Sequence, residues 1–371
     1  MRLKYYDSLD GVRGLAALMV MFCHFFTYVQ TGDSVVLNIL VKVAAIGQSG
    51  VILFFVLSGF LITRILINSK NDRGYFTNFY ARRSLRIFPL YFFFLFLYYF
   101  AGPWITGSEP TTFNQQIYHW VYLQNFAMTF NWPLAGPGHY WSLAVEEHFY
   151  LLWPFLVYFL TIKRLRKVVL VIYGVALATR ILLVSKEYDP FFFTLTNMDS
   201  LAIGAGLAIL EYEGSLKKSS YYLNGFIISL VPISILWVFF GGNSNPVIQI
   251  VKPMLVNISC VLLIAFVISS KRGVVKKFFE SKLMNFSGKI SYGLYVYHNG
   301  VYELVKKHLP IKNTFLLFLC CVLSVYLVAT LSFFCFEKFF LELKKYFKNR
   351  TAAIQEPELA QQVSYSKVPV N

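Results

Sequence analysis

Residues 10–29 read DGVRGLAALMVMFCHFFTYV. The run has the length and apolarity of a transmembrane helix, yet it carries Arg13 and His24. An ionisable side chain inside such a helix is costly and is kept mostly where it faces a cavity, a partner or a reaction. Eleven residues at about 100° each end about 20° past three full turns, so both side chains share one face, about 16 Å apart along the axis. A cation at the membrane edge is thereby aligned with a proton carrier near mid-membrane. The spacing points to a membrane enzyme with its chemistry on this helix.

The rest of the chain agrees with a membrane solvent. Of 371 residues 57% are hydrophobic and 14% charged, and the mean hydropathy is +0.56. Soluble domains carry about 25% charged residues. Apolar stretches of spanning length recur at about 12–30, 47–67, 87–103, 141–161, 168–184, 197–211, 223–240, 249–269, 288–304 and 314–336. The expected fold is therefore all-α: a polytopic membrane protein of about ten transmembrane helices. Residues 35–46 are too short to span and read as re-entrant or interfacial. The N-terminus, MRLKYYDSLDGVRG, has acidic residues in its basic region and no small-residue cleavage site, so the first helix is expected to stay in the membrane.

Basic residues fix the expected orientation. With the N-terminus in the cytoplasm, all of the 34 lysines and arginines fall on the cytoplasmic side except Lys42, Arg180, Lys186, Lys252, Lys306, Lys307 and Lys312. The dense clusters at 82–86, 163–167, 271–272 and 344–345 all lie inside. This places both termini in the cytoplasm. It also accounts for the net charge of +16 without a nucleic-acid partner. The five cysteines sit in apolar segments without metal-ligand spacing and read as small buried hydrophobes, so no metal is expected. The longest outer loop, about Gly102 to Tyr140, is rich in aromatics and reads as an interfacial belt. Residues 1–340 form the membrane domain. A cytoplasmic tail of 341–371 begins within the basic amphipathic stretch KFFLELKKYFKNR, suited to an anionic leaflet, and ends disordered over 351–371.

Four further segments carry chemistry. In HYWSLAVEEHFYLLWP, 139–154, Glu146 follows Trp141 by five residues, roughly 7–8 Å below the outer edge if the helix starts there. His24 lies about 9 Å below the same edge if its helix exits near Gln30. The carboxylate could then orient the imidazole for general-base work, while Glu147 fits an acid at a helix start. In GKISYGLYVYHNGV, 288–301, Tyr295 and His298 share a face one turn apart. In FYARRSLRIFPLYF, 79–92, Arg82, Arg83 and Arg86 gather where a loop enters a helix, a pattern suited to phosphates. Asp199, in TNMDSLAIGAGLA, is an isolated acid near the outer end of a span.

Taken in order, LDGVRGLAALMVMFCHF, FFVLSGFLI at 54–62, ARRSLRIFPLY at 81–91, WSLAVEEHFYLLWP at 141–154 and ISYGLYVYH at 290–298 resemble acyltransferase family 3, the membrane O-acyltransferases. The resemblance covers about residues 7–340. It implies a multi-pass protein of the bacterial cytoplasmic membrane. Such a protein moves an acyl group, acetyl first among them, from cytoplasmic acyl-CoA to a hydroxyl of a cell-envelope glycan or lipid-linked sugar. It implies that Arg13 and His24 are the essential pair and that Glu146 and Arg86 belong to the family's motifs. Arg13, Arg82, Arg83 and Arg86 are the donor-binding candidates, and Trp141, Tyr295, His298 and Asp199 the acceptor-side candidates. It also implies the form without a fused esterase-like domain. Three positions depart from the usual pattern: His148 stands in place of glutamine, Asn197 in place of arginine, and no proline follows Glu337. A transporter of lipid-linked sugars is the rival reading.

Overall fold

Local chemistry sets where many of the helices begin. The side chains of Ser34, Thr161, Asn245, Ser281 and Asn313 each accept a hydrogen bond from a backbone N–H in the first turn that follows, satisfying donors the helix leaves open. The computed structural model describes residues 5–27, 29–30, 32, 34–240, 245–271 and 273–347. Among them there are helices and no β-strand.

In chain order the first four helices are α1 (Ser8–Phe26), α2 (Val35–Ala45), α3 (Ser49–Ser69) and α4 (Tyr75–Phe96). Three short ones follow, α5 (Gly102–Thr106), α6 (Phe113–Trp120) and α7 (Gln124–Thr129). Then come α8 (Trp141–Phe159), α9 (Ile162–Ser185), α10 (Thr194–Tyr212), α11 (Ser219–Phe240) and α12 (Pro246–Ser269). The chain continues through α13 (Val274–Phe279), α14 (Lys282–Lys289), α15 (Ser291–His308), α16 (Thr314–Ser332) and α17 (Lys338–Glu342).

Seven helical stretches among the described residues are long and apolar enough to cross a membrane. They include 35–69, in which α2 runs through one 3-10 turn into α3. The other three expected spans are helices at the expected places, α8, α10 and α15, of 19, 19 and 18 residues. Polar residues lower their apolarity: Glu146, Glu147 and His148 in α8, Asn197 and Asp199 in α10, and in α15 the charged end with Glu303, Lys306 and Lys307 as well as His298 and Asn299.

α1 lies at the centre and is buried on most of its surface. Close backbone approach holds it there. A Cβ on Gly288 would sit 1.8 Å from the Asp10 carbonyl oxygen, and one on Gly11 1.9 Å from that of Phe279. Only glycine lets α13 and α14 pack this tightly on α1, and α15 leaves α14 beside Arg13. α3 crosses α10 in the same way at Gly59 and Gly204.

The segment after α4 departs from the expected surface belt. Trp104 and Trp132 are exposed, but His119, Gln124, Asn125, His139 and Tyr140 are buried. Tyr99 Oη bonds His119 Nδ1 at 2.9 Å, and Gln124 donates to the Tyr140 carbonyl at 2.8 Å. This segment therefore folds into the bundle, and the chain enters α8 through the turn Gly138–Tyr140, whose His139 and Tyr140 are buried. Of the expected tail, the part up to Phe347 is described: α17 and a 3-10 turn, with Arg82 Nη1 donating to the Phe347 carbonyl at 3.3 Å. The disordered end expected over 351–371 lies outside the described residues.

Candidate active site

α1, α3, α4, α8 and α15 enclose a cavity. From α1 comes Arg13, from α3 Ser58, from α4 Arg83 and Arg86, from α8 Ser142, Glu146, Glu147 and Tyr150, and from α15 Ser291, Tyr292 and Tyr295. Three guanidinium groups thus converge in a largely buried space, facing two carboxylates. Arg13 also pairs with Asp10, one turn before it on α1. Ser58 Oγ donates to Glu146 Oε1 at 2.7 Å and lies 2.9 Å from Tyr150 Oη. The Arg83 guanidinium lies 5.3 Å from the centre of the Tyr150 ring, within cation–π range. Such a cavity suits a polyanion: arginines supply forked donors for phosphate oxygens, and the Ser58–Glu146 bond fixes one wall.

Next to it lies a histidine cluster. His298 Nδ1 is 2.7 Å from the Tyr295 carbonyl oxygen, which can only accept, so that nitrogen carries the proton. His298 Nε2 is then an acceptor, and His24 Nδ1, 2.6 Å away, must donate to it. The two rings are parallel, at an interplanar angle of 3°. The network assigns the remaining lone pair to His24 Nε2, the arrangement a general base needs. His24 is half-buried, whereas His298 is fully buried. A third histidine, His139, packs with its ring centre 4.7 Å from that of His298, and Asn299 Nδ2 donates to its Nδ1 at 3.1 Å.

Several expected placements need correction. Glu146 does not orient His24; it bonds Ser58 inside the arginine cavity, and His298 holds the His24 ring. The depth comparison failed because α8 begins from a buried turn, which puts His139, not Glu146, beside His24. Glu147, read as an acid at a helix start, lines the cavity. Arg82 does not line the cavity with Arg83 and Arg86; its Nη1 donates to the Phe347 carbonyl. Trp141 is a core residue packed on Phe55, Phe191 and Phe192, not a cavity wall. Asp199 is fully buried and paired with Arg180 of α9 at 2.8 Å, so it joins two helices rather than contacting an acceptor. Tyr295, an acceptor-side candidate in the sequence, lines the arginine cavity.

The departures from the family pattern lie outside the cavity lining. His148 Nδ1 bonds Thr194 Oγ1 at 2.8 Å, and Asn197 donates to the Phe191 and Phe193 carbonyls. Ser58, Tyr150, Tyr292 and His139 went unnamed as site residues in the sequence. For Ser58 a signal existed, a lone hydroxyl within FFVLSGFLI; for His139 none did, since its loop read as surface.

Apolar helices enclosing a cationic cavity with a buried histidine cluster beside it define a multi-pass membrane protein with a polar interior. A family model described as an acyltransferase domain matches residues 6–334, and the chain belongs to that family, acyltransferase family 3. The peptidoglycan O-acetyltransferase OatA of Listeria monocytogenes is 29% identical over 335 residues, covering 84% of this chain and 51% of that protein. The O-acetyltransferase OatA of Staphylococcus aureus is 25% identical over 337 residues, covering 82% and 52%. The chain spans about half the length of the curated relatives it matches. No solved structure matches it.

Proposed function

We propose that the protein is a bacterial cytoplasmic-membrane O-acetyltransferase that moves acetyl from acetyl-CoA to a hydroxyl of a cell-envelope glycan. The observation that carries this reading is the alignment on α1: Arg13 in a three-arginine cavity, and His24 further along the same helix with Nδ1 occupied by His298. In the orientation that the basic residues favour, Arg13 lies near the cytoplasmic start of α1, and Arg83 and Arg86 on α4 follow the cytoplasmic turn after α3. The phosphates of CoA bind Arg13, Arg83 and Arg86, and the pantetheine arm runs along α1 towards His24.

In the reaction, His24 Nε2 takes the proton of the acceptor hydroxyl. The oxygen attacks the thioester carbonyl, and the tetrahedral adduct expels the CoA thiolate. The imidazolium then returns its proton to that sulfur. His298 keeps His24 in the productive tautomer throughout. The name of the Listeria relative makes peptidoglycan the first acceptor to test.

The test uses the full chain in lipid nanodiscs with acetyl-CoA and soluble peptidoglycan fragments. Acetylated fragments and stoichiometric free CoA are expected, with loss of both in His24→Gln. Fragments left unmodified while CoA binds normally would remove this acceptor. No CoA binding at all would remove the donor. The rival transporter consumes no acetyl-CoA, so the same assay separates the two.

A further inference from the structure

The arginine cavity stops short of the base. Among the described residues that line it, the innermost from α15 is Tyr295, and neither His24 nor His298 is part of the lining. Tyr295 lies one turn before His298 on α15, so its ring stands between the arginine side and the histidine pair. That ring is 5.8 Å from His298, 5.5 Å from His139 and 6.2 Å from Phe54, centre to centre.

The way the ring is held matters. Tyr295 Oη donates to the His139 carbonyl at 2.6 Å and takes the hydroxyl hydrogen of Ser142. Both tethers are single hydrogen bonds to the tip of a buried side chain, so a rotamer change that breaks the two is what frees the ring. Its backbone carbonyl is what fixes the His298 tautomer, and that bond does not depend on where the ring points. The side chain can therefore swing while the His298–His24 pair stays set.

Resting on the acyl-CoA reading of the cavity, we propose that the Tyr295 ring is a partition between the arginine cavity and His24, that the acyl end of the donor displaces it, and that the space it leaves limits transfer to short acyl groups. An acetyl thioester needs little more than the volume the ring vacates between Phe54, Ser142 and His298. A long acyl chain must also displace the surrounding walls. While the ring is closed it keeps water on the arginine side from the base.

Two measurements test this with the full chain, the first in nanodiscs and the second in sealed proteoliposomes. The first compares acetyl-, butyryl- and octanoyl-CoA as donors. In Tyr295→Ala the discrimination against octanoyl relative to acetyl should fall by about tenfold or more, since pocket discrimination of alkyl groups is of that size. In Tyr295→Phe, which keeps the ring, the preference should stay. An unchanged preference in a Tyr295→Ala protein that still binds CoA overturns the size limit.

The second measurement needs no donor. In sealed proteoliposomes holding a chain without native cysteines, oriented with the arginine side outward, His24→Cys is labelled by a charged, impermeant thiol reagent added outside. Labelling should be slow with Tyr295 present, faster with Tyr295→Phe and fastest with Tyr295→Ala. Equal rates in all three overturn the partition. If the wild-type chain neither binds CoA nor consumes acetyl-CoA, the acetyltransferase reading falls, and the labelling series still decides whether Tyr295 divides the interior.

Discussion

His24 and His298, 274 positions apart in the chain, form one hydrogen-bonded pair with Nδ1 and Nε2 2.6 Å apart. The Tyr295 carbonyl at the far end of His298 sets the direction of both bonds. One backbone oxygen on α15 therefore decides which nitrogen of a side chain on α1 is free to take a proton.

Loss of that partner should slow the reaction without loosening the donor. His298→Ala leaves His24 free to rotate or to adopt the other tautomer. Misplacement of a reacting group can cost about 10²-fold, so turnover should fall by that order while CoA affinity stays near normal. His24→Gln should cost roughly 10²–10⁴-fold. Steady-state CoA release and calorimetric CoA binding measure the two sides. A large rise in the Kd for CoA in His298→Ala would move this residue into donor binding.

Coupling should follow contacts and not motif proximity. Since Glu146 bonds Ser58 and not His24, the effects of Glu146→Gln and His24→Gln on kcat/KM should add to within about 0.5 kcal/mol. His24→Gln combined with His298→Ala should fall well short of additivity. Strong coupling between Glu146 and His24 would restore the carboxylate as the orienting group.

The arginine cluster should split. Arg83 and Arg86 line the cavity and Arg82 bonds the Phe347 carbonyl. Arg83→Ala and Arg86→Ala should each weaken CoA binding by about 1.5–3 kcal/mol, the worth of a charge-assisted hydrogen bond. Arg82→Ala should change it little. Equal losses in all three would show that the basic segment acts as a general charge rather than through two placed side chains.

Asp199 should prove structural. It is fully buried against Arg180, so Asp199→Ala strands a buried guanidinium and should cost about 3–5 kcal/mol of stability. Replacing both partners with apolar residues should recover much of that loss. Thermal unfolding in detergent reads the stability. If Asp199→Ala keeps full stability but loses acceptor turnover, Asp199 belongs to the acceptor site after all.

Orientation can be read with single cysteines. Asn71, after α3, and Glu109, after α5, are both exposed. In a cysteine-free background Glu109→Cys should react with an impermeant thiol reagent in intact cells, and Asn71→Cys only after lysis. The reverse pattern would invert the protein and put the arginine cavity on the outer side.

By itself the sequence determined the helical membrane class and the shared face of Arg13 and His24. Both rest on local rules: runs of apolar side chains match the bilayer thickness, and a helix turns about 100° per residue wherever it lies. The same rule made Tyr295 and His298 neighbours. Which helices face one another, and at what depth, obeys no local rule. Glu146 lies in the arginine cavity because 113–140 folds inward and starts α8 from a buried turn. Arg82, one turn from Arg86 on the same face of α4, is left out of the cavity because the chain's later segment brings the Phe347 carbonyl to it. The histidine pair exists because Gly11 and Gly288 let α1 and the α13–α14 segment touch backbone to backbone, bringing α15 alongside α1. Those arrangements come from packing across hundreds of residues, and only the tertiary structure decided them.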